Sequence, residues 1–462
     1  MPETTPLIRF PQSLFPQLRN RLLEDLSRES FALLLGKRIT VEDRTIIKVL
    51  SVHYPEPKDY ISQGNAELRL KREYIYDRLV AMQQNGEADT LIDVHTHPFS
   101  AGGVFFSAVD DSDERNFHTW LHDTLKDIHY ASIVLSQSDY SARLWEWENE
   151  KPVAYTARIK TQIVSENWPS PDYQSGDGKK SVSDVDGLEN GFLARSVLAL
   201  GLDSLRQITT DQTIGVIGVG GLGSIVAENL VHSGFNRLHL IDYDHIELTN
   251  LNRIVGAYYR DAQQQRLKVV TVKEHLELIN PQAKVYAHPT GIEDPSLLPS
   301  IMQCDWLLVT TDSHYSRFKS QEIAVQMGIP LIASGVNISV ENGQVTDMSG
   351  EVIIARYGDG LCLNCLGRIN PTLIAAERNP ESSIAKELVR KGYVAGLEVK
   401  EPAVKTLNAI LGAMTVDVLV NQFTLRQEHR PIVVYESNAA MAIYEDTASV
   451  KSRTQKCHSC NH

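Results

Sequence analysis

The sequence predicts an α+β domain followed by an α/β domain built on a mainly parallel, doubly wound sheet. Three observations carry that expectation. The chain has 462 residues, more than one hydrophobic core usually organises. Its pattern loosens between about Glu148 and Gly191, where "ENWPSPDYQSGDGKKSVSDVDGLENG" is rich in Ser, Asp, Gly and Pro and too poor in apolar residues to build an element. Beyond that stretch, short apolar runs alternate with helical ones, as parallel sheets require. The boundaries expected are residues 1–150 for the first domain, 151–192 for a linker or loop, and 193–462 for the second.

The elements follow in order. Leu14, Leu18, Leu22 and Leu26 recur every four residues, one stripe of an amphipathic helix. "FALLLG" and "IIKVLSVHY" read as short buried strands. After the linker, "TIGVIG" is a buried strand, and Ser224 to Ser233 reads as a helix ended by Gly234. "RLHLID", "WLLVT" and "IPLIASG" are further strands.

Composition narrows the function classes. A formal net charge of -13 argues against nucleic acid or an anionic membrane as the main partner. "MPETTPLIRF" lacks the basic start and apolar core of a signal peptide, and no run reaches the roughly 18 apolar residues of a membrane-spanning helix. Of five cysteines, four form two C-x-x-C pairs, which suits a metal and a reducing compartment better than a disulfide framework. The expectation is a cytoplasmic enzyme.

The segment "DVHTHPFSAGGVFFSAVDDSDE" carries the first chemical cluster. His95 and His97 alternate, so on a strand both rings leave one face. Two imidazoles and the Asp110 carboxylate make a three-ligand catalytic zinc set with one open position. Ser107 can donate a hydrogen bond to an oxyanion. "HTHP", a loop and "SAVD" resemble the JAMM (JAB/MPN) metalloprotease motif of deubiquitinating isopeptidases. That resemblance implies His95, His97 and Asp110 as zinc ligands, Ser107 as oxyanion support and Glu29, in "ESFALLLG", as the general acid/base. The "PFSAGGVFF" spacer is longer than the family's usual one. A metal-free docking domain is the alternative.

"GVIGVGGLGS" carries the second. Gly218, Gly220 and Gly223 satisfy G-x-G-x-x-G between a strand and a helix, where backbone and helix N-terminus can cradle phosphates. Alone, with Asp242 ending the next strand, this Rossmann-like pattern suits NAD or FAD. "GVGGLGS", "LIDYDHIELTNLNR", "RLK", "VTTDSHYSR", "INP" and "EPAVKTLNAILGAMTVDVL" occur in that order and resemble the ThiF-type adenylating superfamily, which activates ubiquitin and sulfur carriers. The resemblance implies ATP bound by Gly218, Gly220, Gly221 and Gly223, its ribose held by Asp242, and its phosphates met by Asn250, Arg253 and Lys268. It implies Asp312 as the residue that orients Mg²⁺ and the attacked phosphate. It also implies a homodimer in which Arg195, or failing that Arg206, reaches the partner's site. Ile254 departs from the family, where glutamine usually follows the arginine.

Cys362, Cys365, Cys457 and Cys460 can form a closed structural zinc site, although about ninety residues separate the pairs. A redox dithiol is the alternative. The remaining Cys304 precedes an apolar run, where a buried thiol is expected. No cysteine is then left to hold a substrate as a thioester. The combined reading is bifunctional. A zinc isopeptidase cleaves after the Gly-Gly tail of a ubiquitin-like or sulfur-carrier protein, and an adenylyltransferase activates that tail for a conjugating or sulfur-donor partner. The other reading is adenylation of a small peptide or acid beside a silent docking domain.

Overall fold

The computed structural model describes residues 5–11, 14–65, 67–100, 103–125, 127–161, 188, 191–356, 358, 361–379, 381–383, 386, 403–438, 441–452, 457 and 459–460. The chain divides into two compact units, residues 1–180 and 181–462.

Among the described residues unit 1 contains ten strands: β1 (Leu7–Phe10), β2 (Phe31–Val41), β3 (Arg44–His53), β4 (Tyr60–Gln63), β5 (Leu68–Leu70), β6 (Thr90–Thr96), β7 (His129–Leu135), β8 (Tyr140–Glu148), β9 (Lys151–Thr156) and β10 (Arg158–Thr161). Eight form one mixed sheet in the order β10-β1-β3-β2-β6-β7-β8-β9, and β4 and β5 form a separate ribbon. Helix α1 (Leu14–Leu22) packs its Phe15, Leu18 and Leu22 with Ala32, Leu34, Ile92 and Ile133 on one face. Helices α2 (Arg72–Asn85) and α3 (Ala108–Thr124) cover the other, where Leu79, Met82 and Leu121 meet Leu33, Leu91 and Tyr130. Because strand side chains alternate, Asp93 and His95 share the face of Leu91, toward α3.

Two expectations for this unit are corrected. The leucine stripe overran its helix: α1 stops at Leu22, Leu26 is 39% exposed, and the Ser27 amide bonds Asp25 Oδ1 in a turn that breaks the repeat. The first domain also does not end at residue 150, since β9 pairs with β8 and β10 pairs with β1. Of the expected linker, residues 162–187 and 189–190 lie outside the described residues.

Unit 2 contributes β11 (Ile214–Ile217), β12 (Arg237–Ile241), β13 (Lys284–His288), β14 (Trp306–Val309), β15 (Leu331–Glu341), β16 (Gln344–Ala355), β17 (Ile432–Ser437) and β18 (Met441–Glu445). They form one sheet in the order β13-β12-β11-β14-β15-β16-β17-β18. The first five strands are parallel, and β11 and β14 are buried along their whole length, as strands covered on both faces must be. Beyond β15 the three remaining pairings are antiparallel, so the parallel part expected is extended by an antiparallel one and the sheet is mixed.

The principal helices of unit 2 are α4 (Ala194–Leu200), α5 (Leu202–Asp211), α6 (Gly221–His232), α7 (Lys268–Ile279), α8 (His314–Met327), α9 (Pro371–Arg378) and α10 (Lys405–Thr424). Helix α6 begins at Gly221, three residues before the expected start at Ser224. Its close approach to α10 rests on Gly412, where a Cβ would lie 2.7 Å from Ile225 Cγ2. Among the described residues no helix is long and apolar enough to cross a membrane.

Candidate functional site

In unit 1, β6 presents His95, His97 follows one residue beyond its end, and β2 pairs beside the strand with Phe31 opposite His95. Two residues before Phe31, Glu29 is therefore brought to the histidines. Its amide donates to Gly64 O at 2.8 Å, and Gln63 Nε2 donates to Glu29 O at 2.9 Å, which fixes the backbone there. Burial raises the Glu29 carboxyl above its ordinary range; the His95 charge opposes this and Asp110 adds to it. A carboxyl shifted upward is better matched to accepting and returning a proton near neutral pH.

Ser107 and Asp110 come from the start of α3. Ser107 is the N-cap and Asp110 the third helical residue, so the two close a capping box. His95 Nε2 lies 3.4 Å from Asp110 Oδ1, and His97 Nε2 lies 3.5 Å from Asp110 Oδ2. All three ligand atoms fall within 4.8 Å of one another. These spacings exceed a good N–H···O bond, and the buried His95 Nε2 has no hydrogen-bond partner among the described residues. They match the edge of roughly 3.3 Å expected between tetrahedral ligands held about 2.05 Å from zinc. The donor set and its geometry fit a zinc ion.

The long spacer does not prevent this assembly. Ala101 and Gly102 lie outside the described residues, but Val104 is fully buried and its carbonyl accepts from Ser141 Oγ at 2.6 Å. Phe106 then lies under the Arg143 guanidinium, 3.7 Å from the ring centroid, and packs edge-on to His95. Arg143 ion-pairs both Asp111 and Glu114 on α3, fastening the ligand-bearing helix to the sheet.

In unit 2 the second cluster gathers at the carboxyl ends of β11, β12 and β14. Ile217 aligns with Ile241 on one side and Val309 on the other. Gly218 adopts φ +85°, and a Cβ on it would lie 3.0 Å from the Thr311 amide. At Gly223 a Cβ would lie 1.9 Å from Gly218 O, so no side chain fits. Gly220 caps α6, whose first amides face the loop. Over Gly221 lie the Arg253 side chain and Asn408 Nδ2, the latter from α10.

Asp242 follows β12 and accepts from the Val219 amide at 2.6 Å and the Asp244 amide at 2.9 Å. Burial raises its carboxyl; Lys268 works the other way. Lys268 opens α7 and pairs with Asp244 at 2.7 Å. Asn250 is buried and uses its side-chain oxygen to accept from the Glu247 amide, ordering the turn that carries Arg253. Arg253 itself donates to Thr249 O at 2.7 Å and Asn252 Oδ1 at 3.0 Å. Asp312 is exposed just beyond β14, and its charge reaches Tyr243 together with those of Asp244, Asp242 and Glu293. Arg195 is exposed on α4, and Arg206 on α5 pairs with Asp203 at 3.6 Å.

The cysteines converge although the sequence separates them. Cys362 Sγ and Cys457 Sγ stand 3.6 Å apart, and all four thiols form one cluster. Tetrahedral ligands about 2.3 Å from zinc lie roughly 3.8 Å from each other, so this set fits zinc too. Cys304 is fully buried, with Sγ 3.5 Å from Ser300 O. Sequence reasoning missed Asn408, Tyr243 and Glu293. Asn408 lies inside the quoted C-terminal motif, but nothing local marks its approach to Gly221.

Comparison with known proteins agrees with this geometry in unit 2. The sequence profile of the ThiF family matches residues 193–459, more than half of the chain. Ubiquitin-like modifier-activating enzyme 5 of Aedes aegypti is 27% identical over 228 residues, 45% of this chain and 54% of that protein. The Drosophila willistoni enzyme of the same name is 30% identical over 189 residues, 38% of this chain and 43% of that one. Adenylyltransferase and sulfurtransferase MOCS3 of Anopheles gambiae is 28% identical over 151 residues, 33% of this chain and 32% of that protein. The chain spans about half or less of the length of these relatives. Among solved structures, E. coli MccB with SeMet MccA is 18% identical with a TM-score of 0.45, covering 59% of this chain and 74% of that one.

Proposed function

The chain belongs to the ThiF family, and from that premise we propose that unit 2 uses ATP to adenylate the C-terminal carboxylate of a ubiquitin-like or sulfur-carrier protein. The observation that carries the reading is the convergence of the glycine loop, Asp242, Arg253 and Asp312 at the ends of three adjacent parallel strands. The nucleotide's phosphates lie over the α6 N-terminus. Asp242 accepts from the ribose, while Asn250, Arg253 and Lys268 face the triphosphate. Asp312 orients Mg²⁺, which would neutralise phosphate charge. The carboxylate oxygen attacks the α-phosphorus, the α–β phosphoanhydride bond breaks, and pyrophosphate leaves with the electron pair. Preorganised cations supply most of the stabilisation in such a transfer. A Gly-Gly tail is the chemistry expected of the acceptor, and Arg195 is expected to act across a homodimer. With the four paired cysteines assigned to zinc and Cys304 buried, the activated tail passes directly to a partner's nucleophile.

For unit 1 we propose a zinc isopeptidase acting after the same kind of tail. Zinc held by His95, His97 and Asp110 would supply Lewis acidity toward the scissile carbonyl. Glu29 accepts the proton of the attacking water and returns it to the leaving amine. Ser107 accepts from the Asp110 amide, which leaves its own hydroxyl proton for the carbonyl oxygen. The gathering of two imidazoles and a carboxylate within 4.8 Å of one another, with Glu29 close enough to feel the charges of His95 and Asp110, supports a working site over a silent docking domain.

Zinc content and ATP–pyrophosphate exchange on the purified chain test both halves, with candidate Gly-Gly proteins and short peptides as acceptors. Wild type should hold two zinc ions and His97→Ala one, while Asp312→Ala loses exchange. One zinc in the wild type would sink the peptidase half. Exchange with peptides alone would replace the protein acceptor by a small one.

A further inference from the structure

The N-terminus of α8, the helix that follows Asp312, is closed by a carboxylate from a distant part of the chain. Glu377 Oε1 accepts from the His314 amide at 2.9 Å, and Oε2 accepts from the Tyr315 amide and from Ser313 Oγ, both at 2.8 Å. Ser313 Oγ in turn accepts from the Ser316 amide at 3.1 Å. Three successive amides that a helix normally leaves unpaired are thus all satisfied. An N-cap side chain alone commonly satisfies one or two.

The rest of α9 is fitted to the same turn. The Asn370 amide donates to His314 Nδ1 at 3.3 Å, and the Arg378 guanidinium lies 5.4 Å from the centre of the Tyr315 ring. On the upstream side, Thr310 Oγ1 donates to Gly218 O at 2.6 Å, and Arg317 Nε donates to Thr311 O at 2.9 Å. Asp312 therefore stands between a tether to the glycine loop and a tether to α9.

We propose that Glu377 is a positioning residue for adenylation: it fixes the α8 turn so that Asp312 faces the metal and phosphate of bound ATP. It does not itself touch the nucleotide, and the inference rests on the ATP reading above. Its carboxylate is suited to the place, since it complements the partial positive charge of the helix N-terminus as well as accepting three hydrogen bonds. Docking of α9 is then part of building the nucleotide site, although α9 begins nearly sixty residues beyond Asp312.

The test uses the full chain and measures ATP affinity with Mg²⁺ and with EDTA, alongside hydrogen exchange of residues 310–317. Wild type should bind ATP more tightly with Mg²⁺, and Asp312→Ala should lose that increment. Glu377→Ala should shrink the increment about tenfold, the size of losing a strong cap. It should leave affinity in EDTA unchanged and speed exchange at His314 and Tyr315. Glu377→Gln, which still offers one acceptor oxygen, should recover part of both. Faster exchange with an undiminished Mg²⁺ increment would make Glu377 a merely structural cap and overturn the proposal. Equal behaviour of Glu377→Ala and wild type in both measurements would do the same. A wild type with no ATP binding would instead overturn the nucleotide reading, and this inference with it.

Discussion

Ser107 and Asp110 hold each other: the Ser107 amide donates to Asp110 Oδ2 at 2.6 Å, and the Asp110 amide donates to Ser107 Oγ at 3.2 Å. The same Asp110 carboxylate faces both histidines. Although burial opposes ionisation, the His95 partner and the Ser107 amide keep this carboxyl well below its ordinary range. Helix capping and ligand placement are therefore one geometric problem in this chain.

Ser107→Ala should loosen that geometry. The cap is worth about 1 kcal/mol, and losing a group that orients a ligand weakens metal binding roughly tenfold. Cobalt titration of the full chain reads this site separately, because nitrogen and oxygen ligands give spectra unlike those of thiolates. Ser107→Thr should keep wild-type affinity. Equal cobalt affinity in Ser107→Ala and wild type would refute the coupling.

Two glycines of one loop should behave in opposite ways. Gly223→Ala puts a methyl 1.9 Å from Gly218 O, whereas a Cβ on Gly220 has nothing among the described residues within 4 Å. The first should abolish ATP binding and cost several kcal/mol, about what overpacking a core position costs. Gly220→Ala should retain the fold with a melting temperature near wild type. Calorimetry of the two variants decides, and similar melting points would contradict the packing argument.

Cys457→Ser should lower zinc content by one ion per chain and leave the His95 site loaded. A tightly bound ion adds about 4 kcal/mol when free metal exceeds its dissociation constant a thousandfold. For a unit of this size that corresponds to a fall of roughly 10 °C in the melting of unit 2. An unchanged zinc count would remove the structural site from consideration.

Acid should weaken unit 1 through His118. Burial pushes its imidazole down to about 4; Glu146 opposes this, while His122 and His129 add to it. Its Nδ1 is buried among Tyr130, Trp145 and Trp147, with no hydrogen-bond partner among the described residues. The folded state therefore prefers the neutral ring, so the contribution is intact above the unfolded value near 6.5 and is lost as pH falls toward 4. Between pH 7.5 and 5.5 the loss is about 1.4 kcal/mol, or about 3 °C in melting temperature. His118→Phe should flatten that dependence, and an unchanged slope would assign it to other groups.

The parts of the fold that sequence made legible are those whose chemistry is local. The G-x-G-x-x-G loop, the H-x-H pair and the S-x-x-D turn each show their geometry within a few residues. The sheet's antiparallel half was harder, because β15 and β16 carry apolar runs much like those of parallel strands. One local clue was present: Asn342 and Gly343 take φ of 51° and 78°, the Asn-Gly hairpin signal. The first domain's end was hidden because β10 is held by β1, some 150 residues earlier. Glu377 and Asn408 likewise act through contacts with distant residues, which no spacing rule records.

The pairing of β1 with β10 also bears on how unit 1 can be handled as a part. Leu7 aligns with Arg158 and Phe10 with Thr161, both strands running the same way along one edge. Chain entering at Leu7 and chain leaving at Thr161 are therefore separated by about 10 Å along the strands, three residue steps at roughly 3.3 Å each. A splice of a few residues is enough to join them. The unit is thus suited to circular permutation, or to grafting into a surface loop of another protein, with its histidine-bearing strand β6 far from either cut in sheet order.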